Sequence, residues 1–277
     1  MLRKAVSGII LTLLFISTLT LAFNIQPVKS AWTGTVYIRA DGSIDPPDAP
    51  IITYDNITYT LVGNIISAGD GIIVERNKVI VDGAGYTLQG AGKGDGVYLS
   101  AEDITIENLK IQNFTKGIII PHFSSHNKVK GNDVKNNDFG ILLDLSEYNI
   151  IVDNNISCNG HGIFLTGSSN HNSILHNIIS MNNGHGVTLH LFSSNNIITG
   201  NNLSLNNGFG IYLMTSRNDI ITNNIMIEDS ILITSHGTPG DNLQNWNTHI
   251  IENNLSLIHI SEPTRPRLIS YAVFCLK

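Results

Sequence analysis

The sequence predicts an all-β fold, a parallel β-helix in which each coil of about 22–24 residues contains three short strands. Three observations predict it. A glycine recurs at nearly constant spacing, three short apolar segments follow each glycine, and asparagines recur with the same period. Roughly seven to eight coils are expected between Gly71 and Asn254, from the length of this segment and the repeat.

The recurring glycine sets the length of the repeat. The glycines of this repeat are separated by 23, 22, 24 and 24 residues; they are Gly117, Gly140, Gly162, Gly186 and Gly210. The segment 162–185 aligns without a gap on 186–209, and two fainter units open at Gly71 and Gly96. A single unit of this size cannot bury its apolar side, so the units are expected to stack into a solenoid.

The apolar segments within each unit are strand-like. In the unit that opens at Gly162 they are Ile163 with Leu165, then Ile174, then Ile178 or its neighbours. Alternation over three to five residues predicts strands, and the Asn, Ser and Gly clusters between them predict turns. A leucine-rich repeat is a rival interpretation, but its leucine spacing is missing.

The asparagines form two columns, with a spacing of five residues inside each coil. Equivalent side chains of stacked coils lie about 4.8 Å apart, so their amides can hydrogen-bond along the axis as ladders. A buried Asn without such partners would be costly. The two columns are therefore interpreted as structural, with sugar contacts left to outward residues such as Asn195. The predicted ladder pairs are Asn127/Asn132, Asn149/Asn154, Asn172/Asn177, Asn196/Asn201 and Asn218/Asn223.

Residues 1–30 are predicted to be a secretory signal peptide. Arg3 and Lys4 are followed by an almost wholly apolar stretch at 6–23, and small residues precede a cleavage site before Ala31. An uncleaved membrane anchor is the alternative, because the apolar stretch is about long enough to span a bilayer. Residues 31–70 are assigned to an N-terminal lead-in or cap, and 71–254 to the β-helix.

Residues 255–277 resemble a translated sequencing adapter. The segment 255–265, LSLIHISEPTR, and the segment 269–276, ISYAVFCL, match two adapter sequences in one reading frame. The three residues between them fill the interval expected for an index. An amphipathic final strand is the rival interpretation. The sequence predicts that the natural protein continues past Asn254 and that this tail carries no function.

The charge and the cysteine content of the chain argue against some classes of partner and against a disulfide-rich fold. The segment between the leader and the tail contains 10 of the 16 Lys and Arg residues and 21 of the 22 Asp and Glu residues. Its net charge is therefore about −11. This balance argues against nucleic acid or an anionic membrane surface as partner, because both require a basic surface. Cys158 and Cys275 are too few for a disulfide framework.

The repeats, with the pattern GI-x-L…SS-x-N-x-I-x-x-N-x-I, resemble right-handed parallel β-helix proteins of the pectin-lyase-like superfamily. More narrowly they resemble NosD-like proteins and the carbohydrate-binding and sugar-hydrolase (CASH) repeats, over residues 36–254. The resemblance implies the fold directly. It implies function only broadly, since the motif consists of packing residues.

Catalysis on this fold by a polysaccharide hydrolase would need two carboxylates in one groove, and lyase chemistry would need a base. Five acidic residues cluster over two coils, and surface charges are the alternative interpretation. Arg217 alone is insufficient as a lyase base. The candidates are Asp133, Asp138, Asp144, Glu147 and Asp153.

The resemblance to NosD-like proteins implies copper, for which imidazole is a suitable ligand. His161 and His185 occupy the same column of adjacent coils, so their rings are expected about 5 Å apart, from the coil spacing. Phe139 and Phe209 continue this column, so stacked rings at a turn are the simpler interpretation. No Met-rich or Cys-rich copper motif accompanies these histidines.

The sequence favours a secreted or cell-surface β-helix that binds carbohydrate or has a structural role. The alternatives are a polysaccharide lyase or hydrolase and a copper-site maturation factor. A polysaccharide or cell-envelope glycan is the expected partner, and membrane contact is expected only through the leader or a missing C-terminal anchor. The sequence requires no cofactor, with calcium and copper as alternatives. Trp246, in an inserted loop at 235–247, could act as a sugar platform.

Overall fold

The computed structural model describes residues 31–234 and 249–257. The predicted signal peptide, the inserted loop with Trp246, and the tail beyond Leu257 lie outside the described residues. Thirty β-strands, β1–β30 in chain order, form three ten-stranded sheets that make about eight turns of a solenoid. No helix that is long and apolar enough to cross a membrane occurs in the described ranges.

Sheet 1 contains the strands that open each coil at the recurring glycine. Its strands are β2 (Val36–Ile38), β3 (Ile44–Asp45), β7 (Ile72–Val74), β10 (Asp95–Leu99), β13 (Lys116–Ile120), β16 (Phe139–Asp144), β19 (His161–Thr166), β22 (Val187–Leu189), β25 (Ile211–Met214) and β28 (Ile231–Thr234).

Sheet 2 contains the second strand of each coil. Its strands are β4 (Ile51–Ile52), β5 (Thr58–Leu61), β8 (Ile80–Asp82), β11 (Thr105–Glu107), β14 (Lys128–Lys130), β17 (Ile150–Val152), β20 (Ser173–Leu175), β23 (Ile197–Thr199), β26 (Ile220–Thr222) and β29 (Ile250–Glu252).

Sheet 3 contains the third strand of each coil. Its strands are β1 (Trp32–Thr33), β6 (Ile65–Ile66), β9 (Thr87–Gln89), β12 (Lys110–Gln112), β15 (Asp133–Lys135), β18 (Asn155–Ser157), β21 (Ile178–Ser180), β24 (Asn202–Ser204), β27 (Ile225–Ile227) and β30 (Leu255–Leu257).

The coils stack in parallel, as the repeat predicts. Each strand pairs with its equivalent one coil away, for example β16 with β19 and β17 with β20. The antiparallel pairs β2–β3 and β4–β5 are exceptions near the N-terminal end. The segment assigned to a lead-in also contributes β2, β5 and β6, which extend the three sheets in parallel. At the other end β30, the first three residues of the tail, pairs with β27.

The interior is filled by columns of branched aliphatic side chains, one column or more from each sheet. In the coil that opens at Gly162, the buried residues Ile163, Leu165, Ile174 and Ile179 point inward from the three strands. Burying each such side chain contributes about 1.5–3 kcal/mol, which makes this stacked core the main source of stability. The outward neighbour Ile178 is 50% exposed, so Ile179 is the buried residue of the third segment.

The recurring glycines allow the coils to approach closely at the start of sheet 1. A Cβ atom on Gly162 would lie 2.3 Å from the carbonyl oxygen of Gly186, and a Cβ on Gly186 would lie 2.6 Å from that of Gly210. No side chain fits at such distances. Packing against the next coil, rather than backbone conformation, therefore explains why glycine repeats here.

Each coil turns at three corners, and each corner uses the same two-residue device. The first residue has a positive φ. From His126 to Asn206 the second is a buried Asn whose side chain runs along the axis, whereas buried apolar residues such as Ile104 and Leu109 occupy this position in earlier coils. In one coil Tyr148 (φ 57°), Asp153 (φ 57°) and Cys158 (φ 57°) precede Asn149, Asn154 and Asn159. The left-handed residue reverses the chain, and the Asn side chain satisfies the buried backbone donor that the turn leaves unpaired.

The asparagine ladders connect each coil with the next. Asn154, for instance, donates its backbone N–H and its side-chain Nδ2 to Oδ1 of Asn177, each at 3.0 Å. Its Nδ2 also donates to the carbonyl of Val129 at 2.9 Å. The structure places eight of the ten predicted ladder residues in such contacts with at most 2% exposure: Asn127, Asn132, Asn149, Asn154, Asn172, Asn177, Asn196 and Asn201.

The last predicted pair, Asn218 and Asn223, was wrong by one residue. Both residues have positive φ, 54° and 57°, and occupy the left-handed position of their corners. Asp219 and Asn224 continue the ladders and are fully buried. Asn is favoured both in the left-handed region and as a ladder residue, so the dipeptides Asn-Asp and Asn-Asn leave the register ambiguous.

A third ladder, which was not predicted, lies at the corner between sheets 3 and 1. It is formed by Asn137, Asn159, Asn182 and Asn206 and ends at Asp229. Each member follows the second ladder by five residues, as the second follows the first. The same five-residue spacing could therefore have identified it.

Asp229 replaces Asn at the end of this third ladder. It is 3% exposed and accepts hydrogen bonds from Nδ2 of Asn206 at 2.7 Å and from its backbone N–H at 3.1 Å. Burial raises the pKa of this carboxyl from 3.8 to about 6; the two bonds from Asn206 oppose the shift, and the charge of Glu228 adds to it. Because the folded-state pKa exceeds the unfolded value, stability falls as the pH rises from 3.8 to about 6, and above that the full cost of ionised Asp229 is present.

We expect Asp229→Asn to raise the free energy of unfolding by about 1–3 kcal/mol at pH 7 to 8. An Asn can accept both bonds from Asn206 and, as in the coils above, donate to a strand carbonyl. The gain should shrink toward pH 4, where Asp229 of the wild type is protonated. Urea unfolding at both pH values measures it, with the exposed Asp153→Asn as matched control. An equal effect of the two variants at pH 7 would contradict this account.

Candidate functional site

A row of aromatic and imidazole rings crosses four coils on the outer face of sheet 1. We call it the ring row and define it as Phe139, His161, Phe164, His185, Phe209 and Tyr212. All six side chains are partly exposed. They stay on the surface because the inward positions of the same strands, such as Ile141 and Ile163, already fill the core.

The ring row follows the solenoid axis. Successive centroids from Phe139 through His161 and His185 to Phe209 are separated by 5.4, 5.8 and 5.5 Å. Phe164 lies crosswise to this stack, at 79° to Phe139 and 73° to His161. The arrangement is an extended apolar surface on the outside of the protein, and such surfaces typically mark binding sites.

Tyr212 is held in place at one end of the ring row. Its ring centroid lies 4.7 Å from that of His185. Its hydroxyl lies 3.3 Å from Sδ of Met214, to which it donates, and 3.2 Å from Oγ1 of Thr234, which donates to it. These contacts fix the ring and leave a polar tip beside the apolar row.

The two histidines of the ring row have lowered pKa values, which favours their neutral form at pH 7. Burial lowers the pKa of His161, and burial together with the charge of His161 lowers that of His185. The backbone N–H of Phe209 donates to Nδ1 of His185 at 2.9 Å, and that of His185 approaches Nδ1 of His161 at 3.5 Å. Both contacts favour neutral rings, since a protonated Nδ1 could not accept them.

The acidic candidates are distributed over different elements of the coils. Asp133 lies on the outer face of sheet 3 and accepts from Asn155 at 3.2 Å, with Lys135 at 3.7 Å. Asp144 ends β16 in sheet 1, whereas Asp153 lies at the corner between sheets 2 and 3. Asp138 precedes β16 at the opposite end from Asp144.

Glu147, the remaining acidic candidate, lies at the corner between sheets 1 and 2. It accepts a hydrogen bond from Nδ2 of Asn170 at 3.1 Å, in the equivalent position of the next coil. This contact ties neighbouring corners together. The five candidates thus occupy sheet 3, the two ends of β16 in sheet 1, and two corners of the coil.

A second group of rings, not predicted from the sequence, lies at the corner between sheets 1 and 2. His126, Tyr148 and His171 stack with centroid separations of 5.3 and 5.0 Å and interplanar angles of 7° and 12°. All three are exposed and have positive φ. Tyr148 lies between the two imidazoles, so its ring faces are covered and its edge is what a ligand can contact.

The residues present do not fit a copper site. Nδ1 of both His161 and His185 faces a backbone N–H, which leaves Nε2 of each ring as a donor. Within residues 31–234 and 249–257, no group of three or more His, Cys, Asp or Glu side chains is arranged to hold a metal ion. Cys158 is exposed at the corner between sheets 3 and 1 and joins no such group. We derive no chemistry through copper.

Three solved structures have a similar fold. The periplasmic alginate epimerase AlgG is 16% identical, with 74% of this chain and 64% of that chain covered and a TM-score of 0.54. DFA-IIIase from Arthrobacter chlorophenolicus A6 is 15% identical, with coverages of 68% and 50% and a TM-score of 0.55. The enzymatically active domain of bacteriophage CBA120 tailspike protein 2 is 13% identical, with coverages of 71% and 36% and a TM-score of 0.54.

These likenesses show the fold, and the chain spans less than two thirds of the length of each of these three proteins. No curated protein matches the sequence. Residues 51–258 match the model of a family described as periplasmic copper-binding protein (NosD), a match that includes all but the first coil of the described solenoid. The chain is a parallel β-helix of the pectin-lyase-like fold and belongs to the NosD family.

Proposed function

We propose that the protein is an exported β-helix that binds carbohydrate along the ring row of sheet 1. The ring row is the single observation that carries this proposal. It presents partly exposed rings over four consecutive coils, along the direction in which a linear polymer can lie. Rings with an apolar body and a polar tip, such as Tyr212, suit the mixed surface of a sugar.

Binding without catalysis is proposed because the polar groups around the ring row lack a catalytic arrangement. The acidic candidates lie on different faces or corners, and Glu147 is engaged by Asn170. A retaining or inverting hydrolase would need two carboxyl groups about 5–9.5 Å apart across one sugar position. Asp138 and Asp144, which flank the first ring, lie at opposite ends of the six-residue strand β16, about 20 Å apart along the strand.

Export supports a glycan outside the cytoplasm as the partner. The leader pattern at 1–30 and the description of the family as periplasmic point in the same direction. The periplasm or the cell surface is the proposed location, and a cell-envelope or environmental polysaccharide is the proposed ligand.

We expect Phe164→Ala to weaken polysaccharide binding about ten-fold, because it removes the ring that lies across the stack. Phe164 is partly exposed and lies outside the core, so the fold should survive. Affinity electrophoresis of the 277-residue chain in gels containing soluble polysaccharides measures the binding.

Tyr54→Ala is the matched control, since Tyr54 is 95% exposed and lies outside the ring row. It should migrate like the wild type in every gel. Equal retardation of wild type and Phe164→Ala by a bound polymer would show that the ring row is not the binding surface.

A further inference from the structure

We infer that the ring row accepts uncharged glycans and excludes uronate polymers, an inference that rests on the proposed function. The four coils that carry the ring row combine neutral rings with a strong excess of acidic groups. A uronate polymer carries one carboxylate per sugar and requires cations from its binding surface. An uncharged hexose or pentose polymer requires only apolar contact and hydrogen bonds.

The charge distribution along the chain is the first argument. Between residues 136 and 234, Arg217 is the only Lys or Arg, whereas seven acidic residues occur. Arg217 lies at the corner between sheets 1 and 2, beyond the outer face of sheet 1. The acidic residues of this segment are Asp138, Asp144, Glu147, Asp153, Asp219, Glu228 and Asp229.

Two cations on or directly after the strands of sheet 1 are already paired. Lys116 precedes Phe139 in the same column, and its Nζ lies 2.9 Å from Oδ1 of Asp95. Arg39, further toward the N-terminus, forms ion pairs with Asp45 and Glu75. A uronate approaching the ring row would therefore meet no uncompensated positive charge from these two side chains.

The column beside the ring row contains no Lys or Arg. Asp144, Thr166, His190, Met214 and Thr234 occupy equivalent positions in successive coils at the end of sheet 1. At its other end Asp138 precedes Phe139. Carboxylates thus lie on both sides of the first ring, where they would repel a uronate and can accept hydrogen bonds from sugar hydroxyls.

The histidines do not supply the missing charge at neutral pH. Both are held neutral by burial and by the backbone N–H groups that face Nδ1. A neutral imidazole in the stack can contact a sugar through its ring edge without favouring an anion. The local geometry and the charge distribution around the ring row therefore both favour an uncharged ligand.

The test measures binding of the 277-residue chain at pH 7 to two groups of polymers. Galactomannan, hydroxyethyl cellulose and inulin are uncharged, and alginate and polygalacturonate are uronate polymers. Affinity electrophoresis is run with EDTA and again with calcium, which could bridge two carboxylates. We expect at least one uncharged polymer to bind about ten-fold more tightly than either uronate polymer in both conditions.

A charge insertion sharpens this test. Thr166→Lys places a cation beside Phe164 on sheet 1 and should raise alginate affinity about three- to ten-fold at low salt. Ser173→Lys adds the same charge on sheet 2, in the column of Lys128, and should leave alginate binding unchanged. Comparison of the two separates a local effect from a change in net charge.

Each outcome decides a different claim. Tighter binding of a uronate polymer by the wild type, in either condition, would overturn the inference while leaving carbohydrate binding intact. An equal effect of the two Lys variants on alginate would also overturn it, because the charge at the ring row would then be irrelevant. Binding to none of the five polymers would overturn the proposed function itself.

Discussion

Asn177→Leu is expected to lower the free energy of unfolding by about 3–5 kcal/mol, although Leu matches Asn in size. Oδ1 of Asn177 accepts both the backbone N–H and the Nδ2 of Asn154, each at 3.0 Å. Its Nδ2 donates to the carbonyl of Ile151 at 2.9 Å. The variant removes these partners from the backbone N–H of Asn154 and from the carbonyl of Ile151, whereas Nδ2 of Asn154 keeps its bond to the carbonyl of Val129. Each buried group left unpaired costs about 1–3 kcal/mol.

Asn202→Ile is the matched control for this ladder variant. Asn202 lies on the outer face of β24, and Ile178 and Ile225 occupy the same column in the adjacent coils. The control should change stability by no more than about 0.5 kcal/mol. If urea unfolding shows similar losses for the two variants, the ladders do not stabilise the solenoid as argued.

Gly162→Ala is expected to cost about 3–5 kcal/mol or to prevent folding, because one methyl group would separate two coils. The added Cβ would lie 2.3 Å from the carbonyl oxygen of Gly186 and 2.9 Å from Cγ2 of Ile179. Neither the backbone of the next coil nor the packed core side chain can yield without breaking pairs between β19 and β22. Circular dichroism and urea unfolding measure the loss.

Gly131→Asn is the control that separates contact from conformation. Gly131 has a positive φ of 65°, but an added Cβ would lie 3.6 Å from the nearest atom, Oδ1 of Asn108. Asp153 and Asn223 have side chains at the equivalent left-handed position of other coils. This variant should fold with a change of about 1 kcal/mol or less. A larger loss than that of Gly162→Ala would contradict the assignment of the two glycine roles.

Much of this fold could be predicted because the residues that repeat in the sequence are those that packing between coils requires. Gly162 and Gly186 recur where a methyl group cannot fit, and Ile163 and Ile174 recur where the core requires a branched side chain. A solenoid repeats these requirements in every coil, so spacing alone reveals them. The parallel β-helix, its three strands per coil and its repeat length are confirmed.

The register of the corners was harder to predict. Asn218 and Asn223 satisfy the left-handed backbone position, whereas the neighbouring Asp219 and Asn224 enter the ladders. Both positions select the same small polar residues for different physical reasons. The five-residue spacing fits both pairs, 218/223 and 219/224, and only its continuation from Asn224 to the ladder residue Asp229 favours the second pair.

Only part of the ring row could be predicted from the sequence. The column of Phe139, His161, His185 and Phe209 follows from the repeat, but Phe164 and Tyr212 were not assigned to the same surface. Simple alternation fails at the start of sheet 1, because Gly140 and Ile141 are both buried and Phe139 before them is partly exposed. The bend at the glycine thus brings the first and fourth residues of β16 to the same outer face.

The most direct measurement of the proposed function is histidine footprinting with diethyl pyrocarbonate, read by mass spectrometry, with and without a bound polysaccharide. Nε2 of His161 and His185 in the ring row should be protected by the ligand. His126 and His171, exposed at the corner between sheets 1 and 2, should keep their reactivity. Protection of the corner histidines with unchanged reactivity of His161 and His185 would contradict carbohydrate binding along the ring row.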